Sequence, residues 1–425
     1  MKKNSFLKNI LTVSGGKVFA MAFTLLSTPI IARIFTPADF GPFAFFLSVV
    51  TIASAISSFR FEVASVLPDS EDVADHLISL AVFFTVTSSV IAFLGLGVWY
   101  LIDPGFVMQG TLKEWVWLIP VGILVFSLDD ALIMWLVRHG KFKPIAQTDL
   151  LEPLVTGGSR IGFGLLTGSS ASGLILGFAM GRMVRLWIIS RAAVAWIQKP
   201  RKFADRAALI ATARNYKDYP LFSTPTALVF VVSNNLPFIL LGTLFAPAVL
   251  GYYAMANRLL RMPIQAVSEG VRKVFLKKAA KLRNDGKRLD DALGKLALML
   301  AGAGIPPFLI LYLYADHLLT FFLGEKWELA GEVVSILAPW LFVVWVSTPC
   351  SVMIEVCKKQ GSWMRQQLLL LVMRAGVFGL AVLWNKDYIW TLNAFVAVST
   401  GGMLLNLFFM FRWAREASPS VGPSQ

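Results

Sequence analysis

Apolar residues in this chain fall in long blocks rather than in alternation. Twelve blocks, 10–35, 40–59, 77–101, 115–137, 145–167, 171–190, 219–243, 247–271, 292–314, 330–354, 364–384 and 388–411, are long enough to be membrane-crossing helices. Each has about 20 residues or more, the length that spans a hydrocarbon core of about 30 Å. The blocks at 145–167 and 247–271 are the least hydrophobic and carry internal charge. The first follows Met1-Lys2-Lys3, but its apolar stretch is too long for a signal-peptide core and no small-residue cleavage site follows, so a retained helix is expected. The connections are short, and no soluble domain is expected.

Composition agrees with this pattern. Of 425 residues 56% are hydrophobic and 15% charged, with a mean hydropathy of +0.68, which excludes a soluble globular protein. Two cysteines exclude a disulfide scaffold, and His76, His139 and His317 are too scattered for a zinc or di-iron site. No metal, cofactor or enzymatic activity is expected. The net charge of +14 would suggest nucleic acid if the basic residues formed one patch on a polar surface. They instead follow topology: with the N-terminus inside, 28 of the 39 Lys and Arg lie in inner segments and only Arg33, Lys113, Lys326 and Lys386 in outer ones. This asymmetry predicts an even number of helices and both termini in the cytoplasm, with no nucleic-acid partner. Membrane lipids are partners by necessity, and the basic loops from Lys199 to Lys217 and from Arg272 to Arg288 can also hold anionic headgroups.

The chain repeats itself. Pro37-Ala-Asp-Phe-Gly41-Pro-Phe-Ala44 returns as Pro247-Ala-Val-Leu-Gly251-Tyr-Tyr-Ala254, 210 residues later, and the preceding helices carry Pro29 and Pro237. Both copies occupy the outer connection between the first and second helix of a six-helix half. The expected fold is therefore all-α and integral to the membrane, with about twelve transmembrane helices in two pseudo-symmetric six-helix bundles around a central cavity. The expected divisions are an N-terminal bundle 1–198, a basic cytoplasmic linker 199–218, a C-terminal bundle 219–412 and a disordered tail 413–425.

Charges within the spans are costly unless they face protein or water, so they mark candidate sites. They are Lys17, Asp129, Asp130, Arg160, Arg182, Arg185, Arg258, Arg261, Glu269 and Arg374. In the eighth span Arg258, Arg261, Gln265, Glu269 and Arg272 share one helical face, as do Asp149, Glu152, Thr156 and Arg160 in the fifth and Ser14, Lys17, Thr24 and Thr28 in the first. Three polar seams predict a shared hydrated lumen, net positive, in which Lys17, Arg160, Arg258, Arg261 and Arg374 bind an anionic, phosphate-bearing solute. The competing reading of these charges is ion pairing that only orients the bundle. Glu269 and the Asp129-Asp130 pair are the acidic candidates for a coupling ion or proton, and adjacent residues on a helix point about 100° apart, so one of the aspartates is expected to face the lumen. Gly173, Gly177 and Gly181 read as a helix-packing ridge, Cys350 and Cys357 as inert packing, and Trp99, Trp115, Trp117, Trp327 and Trp390 as an interfacial belt. Pro306-Pro307 is expected to kink the ninth span.

Taken together, Pro29-Ile-Ile-Ala-Arg33 with Pro37 to Gly41, Arg60-Phe-Glu62-Val-Ala with Leu67-Pro68, and Trp135-Leu136 with Arg138 and Lys141-Phe142 resemble a known group. So do Asn215-Tyr-Lys-Asp-Tyr-Pro220, Leu236-Pro237, Gly251-Tyr-Tyr-Ala254 with Asn257-Arg258 and Pro263, and Phe322-Leu-Gly324-Glu-Lys-Trp327. The group is the polysaccharide-export flippases of the multidrug/oligosaccharidyl-lipid/polysaccharide superfamily, which includes the O-antigen flippases. The resemblance implies movement of a polyprenyl-pyrophosphate-linked oligosaccharide between leaflets, driven by a cation or proton gradient, and contact with polysaccharide polymerase or glycosyltransferase machinery. By motif it also implies Arg60, as a substrate group, and Glu62, as a coupling group, at the inner mouth, Arg33 near the outer mouth and Arg258 in the lumen. The run after Trp135, Arg138-His-Gly-Lys141, is shorter than the group's usual basic stretch. A multidrug exporter of the same superfamily would call for an acidic, aromatic cavity, and a membrane glycan polymerase for a large outer loop with catalytic Arg or His.

Overall fold

Local rules place the helix starts in the computed structural model, which describes residues 3–103, 115–197 and 206–418, and for residues 3–18 and 167 the backbone alone. After α1 (Lys3–Ile34), Thr36 caps α2 (Pro37–Ser57) through a capping box: Asp39 Oδ2 accepts from the Thr36 amide at 2.8 Å, and Pro37 takes the first helical position. A short turn α3 (Phe61–Ala64) precedes α4 (Glu71–Ile102), which Ser70 caps. Then come α5 (Leu118–Arg138), α6 (Phe142–Thr167), α7 (Ala171–Ala192), the turn α8 (Val194–Ile197) and the surface helix α9 (Arg206–Asn215). A π-turn (Tyr219–Ser223) containing Pro220 leads into α10 (Thr224–Leu244). The rest is α11 (Pro247–Asn284), α12 (Leu289–Leu323), α13 (Glu328–Cys350), α14 (Val352–Val356), α15 (Gln360–Leu383) and α16 (Tyr388–Glu416), the last capped by Asp387.

Each of the twelve expected spans corresponds to one long helix, and the protein is an all-helical, multi-pass membrane protein. Nine helical stretches are long and apolar enough to cross a membrane by composition, and α1 contributes the shorter apolar stretch Phe19–Ile34. The two long helices below that threshold, α6 and α11, are the two with weak hydropathy and internal charge. Exposed Leu94, Leu101, Leu166, Leu298 and Leu383 have no place on a water-facing surface and belong to the lipid-facing side.

Three expectations are corrected. Helix α16 continues through Glu416, so 413–416 is not disordered: Trp413 and Ala414 are buried with Met410, Leu293 and Met353, and the Ser418 hydroxyl accepts from the Leu289 amide at 2.9 Å. Residues 419–425 lie outside the described residues. The segment written as a linker contains α9, which packs its buried Thr212 side toward α4, with Ala213 and Tyr216 beside Leu77 and Ala81. Helix α12 loses helical dihedrals at Tyr314 (φ −132°) rather than at Pro306-Pro307. Just beyond, a side chain at Gly331 of α13 would meet the Asp316 backbone, so the bend lets the two helices meet there at backbone distance.

By internal contacts the chain forms two compact units, 1–251 and 252–425. In the first, α10 packs along α2, and the repeated motifs meet one another: a Cβ at Gly41 would strike the Pro247 carbonyl, and a Cβ at Gly251 would strike the Pro37 carbonyl. Proline and glycine recur because each proline begins a helix whose carbonyl lies where the other copy's glycine has no side chain.

Candidate functional site

In the first unit α5 presents Asp129 and Asp130 in succession, and their surroundings differ. Asp129 is 2% exposed. Its Oδ2 accepts from Arg185 Nε at 2.6 Å and from Arg182 Nη1 at 3.4 Å. Glu152 of α6 bridges both arginines, at 3.1 Å to Arg182 Nε and 3.0 Å to Arg185 Nη1, and Asp149 lies 3.3 Å from the same Nη1. Three carboxylates on α5 and α6 thus enclose two guanidiniums on α7, a formal balance of −1. The Arg182 guanidinium also lies 4.2 Å from the centre of the Phe126 ring and 5.4 Å from that of Phe178.

The polar face of α6 is spent on α7. A Cβ at Gly181 would strike Thr156 and the Glu152 carbonyl, and one at Gly177 would lie 2.6 Å from Arg160 Cγ. The glycine ridge and the polar seam are two sides of one interface. Arg160, 3% exposed, donates from Nε to the Leu174 carbonyl at 3.2 Å and stacks over Phe43 at 4.4 Å. In the first helix Thr24 and Thr28 bond the carbonyls of Ala20 and Thr24 in their own helix, while the side chain of Lys17 is outside the described residues.

Asp130 points elsewhere and is exposed. Its electrostatic neighbours include Glu62 of α3, a buried carboxylate whose Oε2 has no hydrogen-bond partner among the described residues. Phe59 and Arg60 place this turn by adopting left-handed backbone angles (φ 51° and 61°), which cost a non-glycine residue of order 1 kcal/mol each. The partly exposed Arg60 side chain interacts with Tyr219. Sequence reasoning missed the brace beside it. Arg138, in the last turn of α5, donates to the carbonyls of Ser65 (3.0 Å), Pro68 (2.6 Å), Asp69 (3.4 Å) and Ser70 (3.3 Å), fixing the loop that follows Glu62. Lys141 lies over the Trp135 ring at 4.8 Å, so this part of the Trp135–Lys141 run braces the C-terminal end of α5.

The second unit gathers cations. Arg374 of α15 is 3% exposed, donates to Ser399 Oγ at 2.9 Å and lies 5.5 Å from the Trp340 ring. Arg261 of α11 lies 5.3 Å from the same ring, and buried Tyr253 interacts with both. One turn before Arg261, half-buried Arg258 has no charged side chain against it among the described residues. Further along α11, Gln265 and Glu269 are exposed, and Arg272 pairs with Glu355. The sequence named the three arginines, and Tyr253 only as part of the repeated motif, but not Trp340 or Ser399, whose only signal was polarity or aromaticity inside an apolar span. Chemically, desolvated guanidiniums offer charge-assisted, forked donors suited to phosphate oxygens.

Comparison with known proteins gives a consistent family. Residues 30–332 match the model of a family described as "Polysaccharide biosynthesis protein". The teichuronic acid biosynthesis protein TuaB of Bacillus subtilis is 21% identical over 340 residues, covering 79% of this chain and 65% of TuaB, so the chain spans about two thirds of that relative's length. Among solved structures, lipid II flippase MurJ in an inward closed conformation superposes with a TM-score of 0.69 at 15% identity, over 93% of this chain and 87% of MurJ. An inward-facing multidrug resistance MATE family transporter of the MOP superfamily gives 0.66 at 12% identity, over 95% and 96%. At these identities the likeness is one of fold.

Proposed function

The chain belongs to the polysaccharide biosynthesis protein family, and we propose that it is a flippase that carries a polyprenyl-pyrophosphate-linked oligosaccharide from the cytoplasmic to the outer leaflet of the bacterial inner membrane by alternating access. The observation that carries this reading is the arginine group of the second unit: Arg258, desolvated and with no counter-charge among the described residues, stands one turn from Arg261, which shares the Trp340 face with Arg374. A half-buried cation within a membrane span and without a counter-charge is costly, and a ligand that brings the anion accounts for it. Pyrophosphate supplies it, hydroxyl and amide side chains suit the sugars, and the prenyl chain stays in the bilayer. Arg60 is proposed to meet the substrate at the inner mouth, and Lys17 to join the lumen. Arg160, committed to Leu174 and Phe43, is proposed to position α7.

Coupling is proposed to run through Asp130 and Glu62. One is exposed, the other buried with an oxygen that has no partner among the described residues, and they repel. Uptake of a proton or cation relieves that repulsion, whereas Asp129 is already neutralised by Arg185 and Arg182. Glu269 is an exposed acidic position on α11 and a secondary candidate.

A multidrug exporter is the second reading, favoured by the acids and phenylalanine rings of the first unit; against it, Arg182 and Arg185 occupy most of those acids. A binding competition separates the two. Purified protein is titrated with a fluorescent polyprenyl pyrophosphate and with a cationic dye. The flippase reading expects saturable pyrophosphate binding that Arg258→Ala weakens ten- to hundredfold, the effect of losing about 1.5–3 kcal/mol of charged hydrogen bonding. Binding of the dye alone supports the exporter.

A further inference from the structure

A pocket distinct from these sites opens between the first turns of α15 and the last turns of α16. It has a volume of about 460 Å³. The two helices run antiparallel here, so the lining changes with depth in a defined order. At the rim stand Lys359, Arg412 and Glu416, with Glu416 2.9 Å from Arg412 Nε and 3.5 Å from Lys359 Nζ. Nearly two turns further along α15 are Arg365 and Gln366, and beyond them Leu369 and Phe409 make an apolar floor, with the Trp413 ring beside Arg412. Three cations against one carboxylate leave a balance of +2. The amide oxygen of Gln366 is enclosed and has no hydrogen-bond partner among the described residues.

A cationic rim, a buried acceptor below it and an apolar floor reproduce, in order, the phosphate, hydroxyl and acyl levels of an anionic lipid. We propose that this pocket binds a phospholipid headgroup of the bilayer, with a phosphatidylglycerol-type glycerol phosphate as its ligand. Arg365, Arg412 and Lys359 take the phosphate, Gln366 accepts from a glycerol hydroxyl, and the chains lie along Phe409 and Leu369. Positive-inside topology puts this end at the cytoplasmic leaflet, where juxtamembrane basic residues meet anionic lipid. The glutamate sets the threshold: paired to Arg412 and Lys359, it leaves Arg365, which donates to the Ser362 hydroxyl at 3.4 Å, as the lining cation without a carboxylate beside it among the described residues, and a neutral headgroup offers too little to compete with the glutamate.

The test is native mass spectrometry of the purified, full-length protein with phosphatidylglycerol or phosphatidylcholine added, followed by competition with inorganic phosphate and with a polyprenyl pyrophosphate. Wild type should retain bound phosphatidylglycerol in preference to phosphatidylcholine. The double variant Arg365→Gln/Arg412→Gln should weaken retention by on the order of tenfold or more. Lys326→Gln/Lys386→Gln, which removes equal charge from exposed positions beyond the far ends of α12 and α15, should retain it as wild type does. Gln366→Leu leaves every charge in place and should lower retention several-fold, which keeps the proposal testable if the double variant folds poorly. Retention unchanged in Arg365→Gln/Arg412→Gln or in Gln366→Leu overturns the site. Displacement by millimolar inorganic phosphate would make it a free-anion site, and displacement by polyprenyl pyrophosphate a substrate site; either overturns the lipid assignment. Because the readout is lipid retention and not transport, failure here leaves the flippase reading untouched.

Discussion

Asp129 and Asp130 are neighbours in sequence with opposite surroundings, and the difference predicts opposite phenotypes. Asp129 neutralises Arg185 and Arg182 inside the first unit. Asp129→Asn should therefore leave buried cations short of a partner and cost about 3–5 kcal/mol, seen as a clear drop in melting temperature of the purified protein. Asp130 makes no such pair among the described residues and sits near Glu62. Asp130→Asn should melt as wild type does while transport loses its dependence on the ion gradient; unchanged gradient dependence would reject it as the coupling group. The sequence marked both aspartates and predicted that one would face away, because about 100° separates successive residues. It could not say which, since that depends on the arginines of α7 rather than on anything in α5. Arg258 tests the cationic side: Arg258→Ala should abolish transport without reducing membrane expression, and Arg258→Lys should recover part of it, keeping the charge but not the guanidinium fork.

At the scale of elements, periodicity identified the polar face of α6 and the glycine ridge of α7 but not that each covers the other. A stripe of polar residues marks a face, and a hydrated lumen and a neighbouring helix with ion-pair partners both satisfy it. Glycine decides the matter here, because Gly177 and Gly181 let α7 approach the Thr156–Arg160 turn at backbone distance. Gly181→Val should force α6 and α7 apart, with a loss of folded protein measured by thermal unfolding in detergent, whereas Gly95→Ala, which meets nothing within 4 Å, should be silent. The same logic applies where the repeated motifs meet. Gly251→Val should destabilise the packing of α10 on α2 because the Pro37 carbonyl cannot retreat from a rigid helix start. Helix ends were less legible than helix centres. Hydropathy stops near 271, yet α11 runs to Asn284, because the Ala-, Lys-, Leu- and Arg-rich stretch after Val271 is a good helix in water as well as in lipid.

At the scale of the molecule, the distribution of charge connects fold to function. The first unit sets Asp129, Asp149 and Glu152 against Arg182 and Arg185, and the second concentrates arginines around Trp340 and Tyr253. The membrane fold and the location of intramembrane charge were legible because burying ions in lipid is expensive and leaves a sparse, conspicuous pattern. Which charges are spent on one another was not, because pairing is a property of packed helices. The central claim is that this arrangement moves a lipid-linked glycan across the bilayer. It is tested by reconstituting the purified protein in liposomes with a labelled polyprenyl-pyrophosphate oligosaccharide in one leaflet, and following its transfer with and without a pH or sodium gradient. The account predicts protein-dependent, gradient-sensitive transfer that Arg258→Ala abolishes; no transfer of any such lipid, together with gradient-driven accumulation of a cationic dye, would contradict it.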